Sequence, residues 1–238
     1  MEIAYISLLV VVAATIGTLS GFGTSTVMVP VMLLFLPLPE TLLLVGVIHW
    51  FGNIWKTVLF KSGIRWRLIL LFGLPGIVAT YIGASFVFSA PEMILSRILG
   101  GFLAAYAIFL FFNSSFGLRQ NNLTAAVGGA SYGFVSGIFG VGGEVRGAFL
   151  SAFNLPKAVY IATTGFIGLA VDSSRLVAYW SGGIRLDSMF VWGLILFIPA
   201  SFLGAYIAKK VVNKISQEKF RSVIAIFLFV IGVKLLFF

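Results

Sequence analysis

Two glycine-rich breaks, each set inside an apolar stretch too long for one straight membrane crossing, constrain this chain more than any other feature. The first is Ser20-Gly21-Phe22-Gly23-Thr24-Ser25-Thr26; the second is Ser136-Gly137-Ile138-Phe139-Gly140-Val141-Gly142-Gly143-Glu144. Phe22-Gly23 and Phe139-Gly140 lie 117 residues apart, and so do Pro39 and Pro156. An insertion-free register therefore ties each break to the turn that follows it. The chain reads as a single membrane domain over 1–238, duplicated as repeat 1 (1–117) and repeat 2 (118–238). Polar, unwound backbone inside a hydrophobic span is tolerated only where protein buries it or where it lines a cavity. Two such breaks at matching places point to a binding site at the midplane of a duplicated transporter.

Composition fixes the class. Apolar residues make up 60% of the chain and charged residues only 10%, where a soluble domain carries about 25% charged. The mean hydropathy of +1.11 agrees. The chain is expected to be an all-α, multi-pass integral membrane protein. The net charge of +9 needs no nucleic-acid partner, because basic residues gather in the cytoplasmic loops of membrane proteins. With no cysteine, disulfide and thiolate chemistry are excluded. Met1-Glu2-Ile3 lacks a basic leader, so residues 3–20 read as retained membrane helix.

Apolar segments run over 3–35, 41–60, 66–88, 94–112, 123–153, 158–180, 188–208 and 220–238. Most suit one crossing of about 20 residues. The first would be about 50 Å long as a straight helix, against a hydrocarbon core of about 30 Å. Each over-length segment is therefore expected to form a broken, re-entrant helical hairpin, or two discontinuous helices, with a short arm of about a dozen residues. Basic residues choose between the two topologies. If each broken segment crosses once, they divide seven and seven. If each goes in and comes back, one side holds Lys56, Lys61, Arg65, Arg67, Arg119, Lys157, Lys209, Lys210, Lys214, Lys219 and Arg221, and the other only Arg97, Arg175 and Arg185. The positive-inside rule prefers the second arrangement. The expected architecture is two inverted repeats, each a broken re-entrant hairpin plus three transmembrane helices, with both termini outside.

Gly21-Phe22-Gly23 followed by Val29-Pro30, and Gly137-Ile138-Phe139-Gly140-Val141-Gly142-Gly143 in the second half, resemble the breaks of the TauE/SafE family of sulfite exporters and organosulfonate permeases. The resemblance covers essentially the whole chain. It implies transport of small sulfur-containing or carboxylate anions across the plasma membrane. Thr24, Ser25 and Glu144 stand where that family usually has further glycines.

The residues of the breaks supply the chemistry such a site needs. Gly21, Phe22 and Gly23 let backbone approach a ligand, and Thr24, Ser25 and Thr26 open the helix behind them. Free N–H groups and the positive end of that helix favour an anion. Gly140, Val141, Gly142 and Gly143 form the matching break, followed by Glu144 and Arg146. A charge within a span costs about 2.5–3.5 kcal/mol even on lenient insertion scales, so these two should face a cavity and a partner. Arg146 offers a forked donor set for an anion; Glu144 could orient Arg146 or carry a proton. The alternative for the glycines is close helix packing, and for the pair a structural ion pair. His49, Asn53 and Lys56 share one helix face, and Thr164, Gly168, Asp172 and Arg175 make a comparable stripe. His49, Glu144 and Asp172 are the candidates for proton coupling, His49 because imidazole titrates near neutrality. The alternatives are a histidine bridging two helices and a self-neutralising Asp172–Arg175 pair.

The sequence thus points to a secondary transporter of small anions, sulfite or an organosulfonate first, working by alternating access. Its expected partners are the anionic substrate, the lipid bilayer and, for a homodimer, a second copy of the chain. No cofactor, metal or nucleic acid is expected. An anion channel or a carboxylate permease is the alternative; an intramembrane enzyme lacks paired catalytic groups, and a scaffold has no need of two polar breaks.

Overall fold

The computed structural model describes residues 2–60, 63–112, 118–212 and 217–237. Every regular element among them is helical: α1 (Glu2–Ser20), α2 (Ser25–Met32), α3 (Leu38–Leu59), α4 (Trp66–Ser85, ending in the 3-10 turn Phe86–Phe88), α5 (Glu92–Phe112), α6 (Asn122–Phe139), α7 (Gly143–Ser151), α8 (Lys157–Ser181), α9 (Ser188–Val211) and α10 (Gln217–Phe237). The repeat boundary expected at 117 lies outside the described residues, as do Lys61 and Lys214.

Local chemistry sets the helix ends. The Asn121 side chain accepts from Thr124 N at 2.7 Å and caps α6, and Asp187 accepts from Met189 N at 2.7 Å and caps α9. Pro37 and Pro156 stand just before α3 and α8, where a missing N–H costs no helix bond. Gly140 closes α6 in the left-handed conformation at φ 67°.

Both over-length segments fold as hairpins. An apolar cavity of about 430 Å³ is lined by Tyr5, Ile6 and Leu9 from the start of α1 and by Val31, Met32, Phe35 and Leu36 from the end of α2 and the turn after it. The short arm therefore returns along the long one. In the second half, a groove of about 460 Å³ joins Gln120, Asn121 and Asn122 before and at the start of α6 to Phe153 and Leu155 after α7. The short arms are 8 and 9 residues, less than the sequence suggests, because Leu33–Leu36 leave the helix in turns.

The mouths of the two hairpins lie at opposite ends of the bundle. Arg65, Arg67 and Leu68 share the groove of the second hairpin, and Lys157 Nζ donates to Val212 O at the same end. At the other end Glu40 accepts from Asp187 N at 3.1 Å and Glu92 from Leu38 N; Phe190 joins the cavity of the first hairpin there.

α1 packs along α9 and α6 along α4, while α3 packs on α8 and α5 on α10. The α4–α6 pair is close because α6 carries glycine every fourth residue: a Cβ at Gly129 would sit 1.9 Å from Phe72 O, and one at Gly133 2.1 Å from Gly76 O. Small residues of this kind allow backbones to meet where no hydrophobic force acts between helices. Along α3 and α8 the contacts run in opposite directions, Gly46 meeting Arg175 and Gly165 meeting Lys56. α5 and α10 likewise run antiparallel, with Gly100 against Leu236 and Gly232 against Ala104.

Among the described residues five helices are long and apolar enough to cross a membrane: Ile3–Ser20, Leu38–Leu59, Trp66–Phe88, Glu92–Phe109 and Ser188–Val211. α8 has the length, 25 residues, but gives up apolar character to the stripe it turns toward α3. Trp50, at the middle of α3, is tied to Ser173 of α8 by a 2.9 Å hydrogen bond, so it is a helix tie rather than the interfacial anchor that tryptophans near span ends form.

Candidate functional site

The two breaks touch. Gly143 opens α7 directly against the other break, and a Cβ on it would lie 1.6 Å from Phe22 O. Gly23, at φ 108°, faces the imidazole of α3, and a Cβ there would lie 2.3 Å from His49 Nε2. No other residue type fits either place, the second on conformational grounds as well. The Gly23 amide donates back to Gly17 O at 3.0 Å, which folds the first hairpin at its tip.

Arg146 fastens this junction. Its Nη2 donates to Gly21 O at 2.9 Å and Phe22 O at 3.1 Å, and its Nη1 to Tyr132 OH at 3.1 Å and Thr164 O at 3.2 Å. The Tyr132 ring lies 5.0 Å from the guanidinium carbon, a cation–π distance. One side chain of the second hairpin thus satisfies two carbonyls of the first, which have left their helix and would otherwise be buried unpaired. The planar fork of arginine suits this task; a lysine could not match it.

Behind the breaks, the polar stripes of α3 and α8 face each other. Asp172 is their hub. Its Oδ1 accepts from Arg175 Nε at 2.9 Å and pairs with Arg175 Nη2 at 2.8 Å. Its Oδ2 accepts from Asn53 Nδ2 at 2.7 Å and lies 2.9 Å from His49 Nδ1. That contact assigns the His49 proton to Nδ1, leaving Nε2 toward Gly23. Lys56 Nζ donates to Asn53 Oδ1 at 3.1 Å. Asp172 and Arg175 pair, and through Asp172 the pair also anchors His49 and Asn53.

Burial is nearly complete. His49 is 3% exposed, and Asn53, Glu144, Arg146, Asp172 and Arg175 are at 0%. The sequence candidates Gly21, Gly23, Thr24, Ser25, Thr26, Gly140, Val141, Gly142 and Gly143 are buried with them, and Phe22 is half-buried. Gly140 sits beside Arg175 Nη1, and Gly142 packs against Tyr132. The site is closed to both ends of the bundle.

Several polar atoms inside it have no hydrogen-bond partner: Thr24 Oγ1, Thr26 Oγ1, His49 Nε2, both carboxylate oxygens of Glu144, Arg146 Nε and Arg175 Nη1. Buried polar atoms are satisfied in the great majority of cases, so seven unpartnered atoms among the described residues set this junction apart. Among the described residues the buried basic side chains Lys56, Arg146 and Arg175 outnumber the buried carboxyl groups Asp172 and Glu144. No Glu144–Arg146 ion pair forms among the described residues.

Sequence reasoning missed Tyr132, whose hydroxyl receives Arg146, and Tyr179, whose hydroxyl donates to Gly137 O. It also missed the Gly21 and Phe22 carbonyls as acceptors. The signal for Tyr132 was its place amid Gly128, Gly129, Gly133 and Gly137, a polar ring in a helix face built for close packing.

Comparison with known proteins identifies the family. The family model described as Sulfite exporter TauE/SafE matches residues 6–235. The chain is 28% identical over 186 residues to the "Probable membrane transporter protein y4hK" of Sinorhizobium fredii (strain NBRC 101917 / NGR234), covering 73% of this chain and 72% of that relative. A family match over nearly the whole length, on an all-helical bundle with membrane-length apolar helices, places this chain in the TauE/SafE sulfite exporter family as a multi-pass membrane transporter.

Proposed function

We propose that the protein is a secondary transporter of small anions, sulfite or an organosulfonate first, that holds its substrate where the two glycine breaks meet. The observation that carries this reading is the closed junction itself: an excess of buried cationic charge together with unfilled polar atoms. Excess buried cationic charge is costly, and a bound anion offsets it. Arg175 Nη1 and the Thr24 hydroxyl are the unfilled donors on the two sides of the junction, and Lys56 bonds only Asn53 with its ammonium. Arg146 acts by holding the breaks together, with Nε as its remaining donor.

The two halves are read as inverted repeats. This is supported by the antiparallel packing of the equivalent pairs α3–α8 and α5–α10 and by hairpin mouths at opposite ends. The end that carries Arg65, Arg67, Arg119, Lys157, Lys209 and Lys210 then faces the cytoplasm of a prokaryotic cell by the positive-inside rule. Alternating access would open the junction to one side and then the other by rocking one half against its partner. A site sealed at both ends favours this cycle over an open channel.

A substrate-induced thermal-shift screen in detergent tests the reading. Sulfite, thiosulfate, methanesulfonate, sulfate and small carboxylates are compared with chloride. Stabilisation by sulfite or the sulfonate is expected. Stabilisation by carboxylates alone would reassign the substrate class, and a flat response to every anion would remove the anion site.

A further inference from the structure

We infer that Glu144 is a proton-binding site, occupied while the junction is closed, and that its proton is what couples anion movement to a gradient. This rests on the transport reading above and names one residue of that site. Glu144 lies in the first turn of α7, at 0% exposure, with neither carboxylate oxygen hydrogen-bonded. Among the described residues it is the one buried carboxylate in that condition, since Asp172 is held by Arg175, Asn53 and His49. An ionised carboxylate with no donor at either oxygen is the most expensive form of this group in a dry interior, so it must take up a cation.

The groups facing it decide which cation. From α2 comes the Thr26 hydroxyl, itself unpaired and positioned to interact with the carboxyl group. On α7 itself stands Arg146, bonded to Tyr132 of α6; Tyr160 of α8 lies beside Gly147, and the Asp172–Arg175 pair is closed on itself farther along α8. From α3 come His49, turned to Asp172, and Lys56, turned to Asn53. A metal cation needs about six oxygen ligands. The nearest exposed carbonyls, Gly21 O and Phe22 O, are already taken by Arg146, whose charge also repels a metal ion. A proton needs a single carboxylate oxygen.

The same surroundings explain release. The amino end of α7 and the nearby Arg146 favour an ionised Glu144 once water enters. Closure removes that water and restores the neutral acid. The group therefore changes its proton with the state of the junction, as a coupling site must.

Infrared difference spectroscopy of the purified protein reads this without any substrate. The C=O stretch of a protonated, buried carboxylic acid is expected at neutral pH in the parent and should be lost in Glu144→Gln, with no loss of thermal stability because glutamine mimics the neutral acid. No difference between the two spectra would show Glu144 ionised and would overturn the inference. In proteoliposomes, methanesulfonate, which stays ionised across this pH range, should enter together with protons, seen by a trapped pH dye. Glu144→Gln should lose the proton signal. Proton movement retained in Glu144→Gln, or uptake that follows a sodium gradient and not a proton gradient, would also overturn it. A parent that takes up no anion while keeping the infrared band would defeat the transport reading and leave the proton site standing.

Discussion

Asn53 of α3 donates to Asp172 of α8 across 2.7 Å, and the two residues are 119 positions apart. The same offset separates Lys56 from Arg175 and Gly46 from Gly165, and these also exchange contacts: Gly46 meets Arg175 while Gly165 meets Lys56. The contacts repeat at this offset and the charges do not, since asparagine occupies one position and aspartate the other.

Asp172→Asn should be far more harmful than its small change in shape suggests. It leaves Arg175 buried with no counter-charge, a loss of about 3–5 kcal/mol for a broken buried pair. A large drop in the melting temperature of the detergent-purified protein is expected, and Asp172→Asn combined with Arg175→Gln should recover part of it. Equal melting temperatures for Asp172→Asn and the parent would show that the pair contributes nothing.

Arg146→Gln should weaken anion binding, and it should also loosen the junction. Two carbonyls, those of Gly21 and Phe22, lose their donors, at about 1–3 kcal/mol each when left unpaired in the interior. Arg146→Lys keeps the charge without the fork and should rescue stability only in part. A lysine variant as stable as the parent would mean that charge alone matters there.

Thr24→Val separates binding from folding. The Thr24 hydroxyl is buried at 0% exposure with no partner, so replacing it with a methyl group of similar size should leave the melting temperature unchanged or raise it. The thermal shift produced by sulfite should shrink. An unchanged sulfite response would take Thr24 out of the site.

Topology is testable by single cysteines, because the chain has none of its own. Ser62 and Ser216, natural reporters of the basic loops, lie outside the described residues. The exposed positions Gln120 and Lys210 should label from the cytoplasmic side, and Ser89 and Ser181 from the opposite side. Labelling of Gln120 and Lys210 from different sides would end the inverted-repeat reading.

Much of this fold was legible in the residues. Long apolar runs and prolines mark helix limits through simple rules, and α3, α4 and α9 begin within three residues of the expected segments. The stripes of α3 and α8 were legible because helical spacing puts residues three and four apart on one face. Which stripe meets which was not, since Asp172 bonding Asn53 depends on antiparallel packing between halves. The role of Arg146 was hidden for a related reason. Its acceptors are backbone carbonyls 124 and 125 residues away, and a carbonyl has no signature in a sequence.

Uptake of radiolabelled sulfite into proteoliposomes tests the central claim most directly, with Gly143→Val run beside the parent. A side chain at Gly143 cannot share the space of Phe22 O, so that variant holds the two breaks apart. Saturable uptake by the parent, competed by methanesulfonate and lost in Gly143→Val while the variant stays folded and monodisperse, is the predicted result. Uptake that is undiminished when the breaks are forced apart would contradict the account.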